Sequence, residues 1–172
     1  MNGGSYPDMP FNQQVSFPCE LTLRTTPSGV RLFRRPIPEI ESLQEKPDVW
    51  SGRTLRDGFT LPLEPGGDCY RVIAELSVSQ NARAIFEIRG TRVTLTRNGV
   101  ESGQAKGTLS GDVQQVELLV DRASIETFVN DELSSTRCFI PSASGLSLRA
   151  EGGDVTVRSI TVWPLKSAWS TQ

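Results

Sequence analysis

Hydrophobic and polar residues alternate with a period of two along most of this chain, and no window shows a helical stripe with a cap at each end. Residues 72–78 give the clearest case, because apolar side chains alternate there with Glu75 and Ser77, as in a strand with one buried face. The same alternation predicts strands near 84–89, 91–97 and 114–122. The pattern therefore predicts an all-β chain.

Turn residues separate these strands at short intervals. Gly90 divides the second strand from the third, and Asn98-Gly99 predicts a tight primed turn, in which both central residues have positive φ. The inward-facing set shifts parity between Val157 and Ile160, so we expect a β-bulge at Arg158-Ser159. Short strands with regular turn signals indicate two antiparallel sheets packed as a β-sandwich, of the concanavalin or jelly-roll kind.

The first 45 residues have a different composition, with six prolines and two strand-like runs at 15–23 and 30–34. Proline confines such strands to sheet edges and bulges. We therefore predict an N-terminal strand extension over residues 1–45 and a sandwich domain over residues 46–172.

Length and charge exclude several classes of protein. A chain of 172 residues suits one domain, and its net charge of -2 argues against nucleic acid as a partner. No apolar run approaches the roughly 20 residues that span a bilayer, and the first residues lack a signal-peptide pattern. We expect a cytoplasmic chain without a membrane partner, while secretion of a parent enzyme stays open.

Histidine is absent, which excludes Ser-His-Asp and Cys-His catalysis and imidazole metal sites. Cys19, Cys69 and Cys138 are odd in number and far apart, so no C-x-x-C spacing occurs. We expect three free thiols that pack as small apolar residues, and we predict neither a metal nor a cofactor.

Several separated segments resemble glycoside hydrolase family 32, which includes invertases, levanases and inulinases. Residues 120–131, VDRASIETFVND, are similar to the hairpin of the β-sandwich that follows the catalytic propeller in this family. Residues 9–23 resemble the end of the propeller, residues 31–40 resemble the connector after it, and residues 160–169 resemble the closing strand of the sandwich. The resemblance implies a C-terminal sandwich module with a remnant of the last propeller strand region.

The family's chemistry needs two carboxylates about 5 Å apart, as in other retaining glycosidases. Its W-x-N-D-P-N-G, R-D-P and E-C motifs do not occur in this sequence. The partial matches Asn130-Asp131, Arg56-Asp57 and Cys19-Glu20 are interpreted as a hairpin tip, a turn and a strand residue. The resemblance therefore implies a truncated family member, a non-catalytic companion of a catalytic domain that this chain lacks.

Asp121 and Glu126 lie within the family signature and could form a functional carboxylate pair. We favour structural roles for them, because Asp121-Arg122 ends a strand before a short turn and Glu126 takes an outward position opposite Ile125. Phe128 and Asn130 are interpreted in the same way, and an assisting role in an intact enzyme remains the alternative. The family commonly has glycine where this chain has Glu132, so we expect a shifted or longer loop.

The alternative function is a stand-alone module that binds fructan or another oligosaccharide, since aromatic faces stack on sugar rings. Its candidate residues are Trp50, in a loop-like context before Ser51-Gly52, and Tyr70. Trp163 and Trp169 are interpreted as sealing the sandwich or covering the N-terminal segment. A third hypothesis concerns residues 8–35, which should pair with propeller strands. Without those strands the unpaired edge would seek another chain, so we predict a homo-oligomer.

Overall fold

The computed structural model describes residues 15–26 and 29–168, and most of them lie in antiparallel strands. One 3-10 helix, Pro38–Leu43, follows the second strand. None of the described helical residues forms a segment that is long and apolar enough to cross a bilayer. The strands are β1 (Cys19–Thr26), β2 (Gly29–Pro36), β3 (Asp48–Leu55), β4 (Thr60–Leu63), β5 (Tyr70–Val78), β6 (Arg83–Ile88), β7 (Thr91–Thr96), β8 (Gly99–Ser102), β9 (Ala105–Thr108), β10 (Gln115–Asp121), β11 (Ser124–Val129), β12 (Leu133–Cys138), β13 (Leu146–Glu151) and β14 (Val155–Pro164).

Two six-stranded sheets form the body of the molecule. The first has the order β12-β11-β10-β5-β14-β3, and the second has the order β4-β13-β6-β7-β8-β9. Alternate side chains from both sheets share one core, in which Val72, Phe86, Leu118 and Leu148 are fully buried. The predicted all-β sandwich is therefore confirmed.

Strand β14 contains the predicted bulge. Its pairing with β5 shifts register between Val157 and Ser159, so that Val155 and Val157 before the shift and Ile160 after it all face the core. The extra residue restores the inward direction of the apolar side chains, because successive strand residues otherwise point to opposite faces.

The predicted primed turn at Asn98-Gly99 is wrong. Thr96 pairs with Gly99, so the two loop residues are Arg97 and Asn98, and neither is among the described residues with positive φ. The carbonyl of Arg97 accepts a hydrogen bond from the Val113 amide at 2.7 Å, and that of Asn98 accepts one from the Leu109 amide at 2.8 Å. These hydrogen bonds from residues 109 and 113 stabilise a turn that lies one residue before the position favoured by the local sequence.

The loop between β11 and β12 is short. Only residues 130–132 separate the paired residues Val129 and Leu133. Positive φ angles fall on Asn130 (50°) and Asp131 (56°), which tolerate the left-handed region better than most residues. The two residues before Glu132 thus supply the positive φ that glycine would have supplied, and a shift of the loop relative to the family stays a prediction.

A separate two-stranded sheet precedes the sandwich. Strands β1 and β2 pair in register from Cys19 with Pro36 to Thr26 with Gly29. The N-terminal arm, defined as residues 15–26 and 29–45, then returns along the 3-10 helix, and Gln44 forms a β-bridge with Leu165. Residues 9–14 of the propeller-like segment and Trp169 lie outside the described residues.

The three cysteines form no disulfide. Cys19 and Cys69 are half-buried, whereas Cys138 is exposed. The expectation that all three pack as small apolar residues is therefore wrong for Cys138, which lies on β12, an edge strand of the first sheet.

Candidate functional site

The outer face of the first sheet holds a fully buried carboxylate, that of Glu126. It lies on the face opposite Ile125, as expected from the alternation, but it is 0% exposed. One oxygen accepts a hydrogen bond from the Phe17 amide at 3.3 Å, and the other accepts bonds from Arg34 Nη2 at 3.1 Å and Thr136 Oγ1 at 2.7 Å. The expected outward position is therefore corrected to a buried one, because the N-terminal arm covers this face.

A small apolar cluster lies on the same face of the sheet as this carboxylate. Its buried members are Ile40, Leu119 and Phe128, and partly buried side chains from both ends of the chain pack against them: Phe17, Cys19 and Leu165. The guanidinium of Arg34 also lies 5.6 Å from the centroid of the Phe128 ring, within the range of a cation–π contact. Phe128 thus acts as a packing residue between the arm and the sheet, which supports its structural interpretation.

Further ion pairs connect the arm to the same face. Arg35 pairs with Asp131 at the hairpin tip. Arg71, on β5, lies 2.8 Å from Glu117 and 3.7 Å from Glu41 of the 3-10 helix. Burial raises the pKa of Glu117 above its usual value, while the neighbouring Arg71 acts in the opposite direction. The arm is therefore attached by both apolar and charged contacts.

Asn130 has a structural role at the tip of the β11–β12 loop. Its side-chain oxygen accepts hydrogen bonds from the amides of Gln114 and Gln115, both at 2.9 Å, and its Nδ2 donates to the carbonyl of Asp112 at 2.8 Å. Glu132 accepts bonds from the backbone amide and the hydroxyl of Ser110 nearby. The tip is thereby joined to the chain segment that enters β10.

Asp121 and Arg122 lie at one end of the sandwich. Asp121 Oδ1 accepts hydrogen bonds from the Arg122 amide at 2.7 Å and from the Cys69 thiol at 3.1 Å. Burial, followed by the bond to Asp121, raises the pKa of Cys69 to about 11, so this thiol stays protonated at neutral pH. Asp121 is thus bound within its own turn and by Cys69, whereas Glu126 is bound by the arm and by Thr136.

A cleft opens at this same end, between the loop before β5 and the loop before β13. It has a volume of about 670 Å³ and is bordered by Tyr70, Arg89 and the two loops. Tyr70 is fully buried, so its ring cannot stack on a sugar as expected. Its hydroxyl has no hydrogen-bond partner among the described residues, and burial raises its pKa above the usual value for tyrosine.

Trp50 lies on strand β3 rather than in a loop. It pairs with Ile160 of β14, is half-buried, and packs against the main core. The expected loop placement is therefore wrong, and a sugar-binding role for Trp50 stays a prediction. Among residues 15–26 and 29–168, no three His, Cys, Asp or Glu side chains group closely enough to hold a metal ion.

These features define a domain of two packed β-sheets, with the N-terminal arm packed on the outer face of the first sheet. The family model described as "Glycosyl hydrolases family 32 C terminal" matches residues 92–164. The chain is 29% identical over 197 residues to the levanase of Bacillus subtilis (strain 168), and the match covers 96% of this chain and 29% of that enzyme. It is 27% identical over 148 residues to the sucrose-6-phosphate hydrolase of Salmonella typhimurium, covering 80% of this chain and 28% of that enzyme.

Solved structures agree on the fold. The exo-inulinase from Aspergillus awamori aligns with a TM-score of 0.75 and 22% identity over 97% of this chain and 38% of that one. Fructan 1-exohydrolase IIa from Cichorium intybus aligns with a TM-score of 0.65 and 13% identity over 86% of this chain and 40% of that one. The resemblance to the C-terminal β-sandwich of glycoside hydrolase family 32 is therefore confirmed, and the chain spans less than a third of the levanase's length.

Proposed function

We propose that this chain acts as a non-catalytic accessory β-sandwich of a fructan- or sucrose-hydrolysing glycosidase, and that its β1–β2 hairpin is the surface that stabilises the propeller or assembles subunits. The observation that supports this role most directly is the exposed apolar face of the hairpin. Four large apolar side chains on it are 57% to 71% exposed: Leu21, Leu23, Val30 and Leu32.

The pairing of the hairpin puts these four side chains on one face. Leu23 is directly opposite Leu32, and Leu21 and Val30 lie two positions away on their own strands, so they point in the same direction. The other face carries Thr22 and Arg24 together with one large apolar residue, the partly buried Phe33, which is directly opposite Thr22. A contiguous exposed apolar surface on a water-soluble domain is typical of a contact site for another protein surface.

The charged attachment of the arm supports the same role. Arg34 continues the apolar face toward the sandwich and is bound there by the buried carboxylate of Glu126. This attachment would fix the direction in which the hairpin projects, as a docking element requires. The similar levanase and exo-inulinase are hydrolases of which this chain spans 29% and 38%, and the family's catalytic motifs do not occur in its sequence.

Sedimentation velocity over a wide concentration range tests whether the hairpin associates. The matched variants are Leu23→Lys and Thr22→Lys, which add the same charge at neighbouring positions on opposite faces. We expect a mass above that of the monomer for the wild type and for Thr22→Lys, and a monomer for Leu23→Lys. A monomeric wild type at high concentration excludes assembly of subunits, and normal assembly of Leu23→Lys excludes the hairpin face.

A further inference from the structure

The edge strands of the two six-stranded sheets differ in how they are protected against pairing with another chain. An unpaired edge exposes N–H and C=O groups, and proteins usually protect it with proline, lysine, a kink or a very short strand. Strands β4 and β9 have only four residues each, and they contain Pro62 and Lys106 respectively. Strand β3 is interrupted at its centre by Gly52, which has a φ of 63°. These three edges of the described sheets are therefore protected.

Strand β12 is the remaining edge. It is six residues long, with the sequence LSSTRC, and it contains no proline, no lysine and no residue with positive φ. Its one charged residue, Arg137, donates to the carbonyl of Arg92 in the second sheet at 3.3 Å. This side chain is thus held against the sandwich and leaves the backbone edge open.

The outward-facing backbone groups of β12 include those of Ser134 and Thr136. The amide of Phe139 donates to the carbonyl of Ala123 at 3.0 Å, so the odd-numbered residues of this ladder are the ones that bond to β11. Bonded and non-bonded residues alternate along an antiparallel pair. The N–H and C=O groups of Ser134 and Thr136 therefore point away from β11, and both residues are exposed.

The sequence of β12 complements itself in antiparallel orientation. A two-fold axis at Ser135 places Ser134 of one copy opposite Thr136 of the other, so that their outward backbone groups bond to each other. Opposite serine and threonine side chains are among the favourable cross-strand pairs. The same register keeps the two Arg137 side chains four positions apart along the strands, roughly 14 Å, so like charges do not meet.

The hairpin adds apolar contact to such a pairing. Arg34 binds Glu126 beside Thr136, and β2 contacts β12, the last strand of the first sheet. Beyond Arg34 the same face of the hairpin leaves the sheet, because Leu23 and Leu32 on it are 71% and 57% exposed. A second copy that continues the sheet from β12 would lie beneath this apolar face and cover it.

We propose that two copies of this chain pair through β12, so that their first sheets join into one continuous antiparallel sheet with Ser135 at the two-fold axis. This inference rests on the assembly role proposed for the hairpin, and it names the partner, a second copy, and the strand that pairs. The open edge supplies main-chain hydrogen bonds, and the hairpin supplies the apolar area that the polar strand lacks.

A cysteine at the two-fold axis tests the pairing directly. The two Ser135 residues would form a non-hydrogen-bonded pair with Cα atoms about 4.5 Å apart, which suits a disulfide. In a Cys138→Ser background treated with oxidised glutathione, Ser135→Cys should form a disulfide-linked dimer on a non-reducing gel. Ser134→Cys is the matched control, because its two copies would lie roughly 7–8 Å apart, too far for a disulfide, and it should give at least tenfold less dimer.

Sedimentation velocity separates this pairing from the contact of the hairpin. Ser134→Pro removes one outward N–H and should weaken association at least tenfold, whereas Ser134→Thr keeps the N–H and should assemble as the wild type does. Equal dimer from Ser135→Cys and Ser134→Cys, or wild-type assembly of Ser134→Pro beside a monomeric Leu23→Lys, would overturn the β12 pairing and keep the hairpin contact. Normal assembly of Leu23→Lys beside a monomeric Ser134→Pro would remove the hairpin contact and keep the pairing. A monomeric wild type would overturn both.

Discussion

Removal of the Arg34 side chain should detach the arm from the sandwich. Glu126 is 1% exposed at its side chain, and Arg34 is 25% exposed. Breaking a buried ion pair by removing one partner costs about 3–5 kcal/mol, because the other charge stays buried without compensation. We take the lower value, about 3 kcal/mol, because Arg34 is partly solvated and the Phe17 amide and Thr136 hydroxyl still bind the carboxylate.

The arm offers a matched control in the adjacent residue. Arg35 pairs with Asp131, but Arg35 is 48% exposed, so Arg35→Ala should cost less than about 1 kcal/mol. Both variants lose the same arginine side chain and its charge. The contrast between them therefore reports the buried contacts of Arg34, with Glu126 and with the Phe128 ring.

Hydrogen exchange followed by mass spectrometry measures detachment directly in peptides from β2. A loss of about 3 kcal/mol corresponds to roughly a hundredfold faster exchange when opening is rapid, since every 1.4 kcal/mol is a factor of ten. We expect this acceleration for Arg34→Ala in the arm, with little change in β5. Exchange in β2 within tenfold of the wild type, or an equal effect of Arg35→Ala, would refute the reasoning.

Three further predictions concern separate parts of the structure. Asn130→Ala should lower the free energy of unfolding by about 2–3 kcal/mol, because it removes three hydrogen bonds, and Asn130→Gly should lose no less than half of that in urea denaturation. Gly90→Ala should lower the free energy of unfolding by about 3 kcal/mol, because the position has positive φ and the added Cβ would clash with Ser142. Gly58→Ala, also at positive φ but in open space, should cost about 1 kcal/mol in the same assay. The raised pKa of Glu117 means that the folded state holds the proton of this carboxyl more tightly than the unfolded state does. The stability of the wild type relative to Glu117→Gln should therefore increase as the pH falls toward 4.5. The same difference in urea midpoint between the two proteins at pH 7 and at pH 5 would contradict this prediction.

The sheets of the sandwich could be predicted from the sequence, because strand alternation is a local signal. It located β5 and β10 within two residues at each end, and the change of parity after Val157 located the bulge. The turn at residues 97–98 could not be predicted in this way, because bonds from Leu109 and Val113 hold it. Local sequence preference describes a turn only where no distant segment competes for its backbone.

The candidate sites depend on contacts between residues far apart in the chain. Glu126 meets Phe17 and Arg34 across 109 and 92 positions, so its burial could not be read from the alternation of β11. Trp50 is on a strand because β3 pairs with β14 at the other end of the sequence. The cleft had one local signal, an arginine beside Gly90 between two predicted strands, where asparagine would be usual.

The release of fructose is the measurement that tests the central claim most directly. The purified chain is incubated with sucrose, levan and inulin, and free fructose is measured against a buffer control. A non-catalytic accessory sandwich predicts no release above that control. Release that survives repurification and is lost in Asp121→Asn or Glu126→Gln would contradict the account.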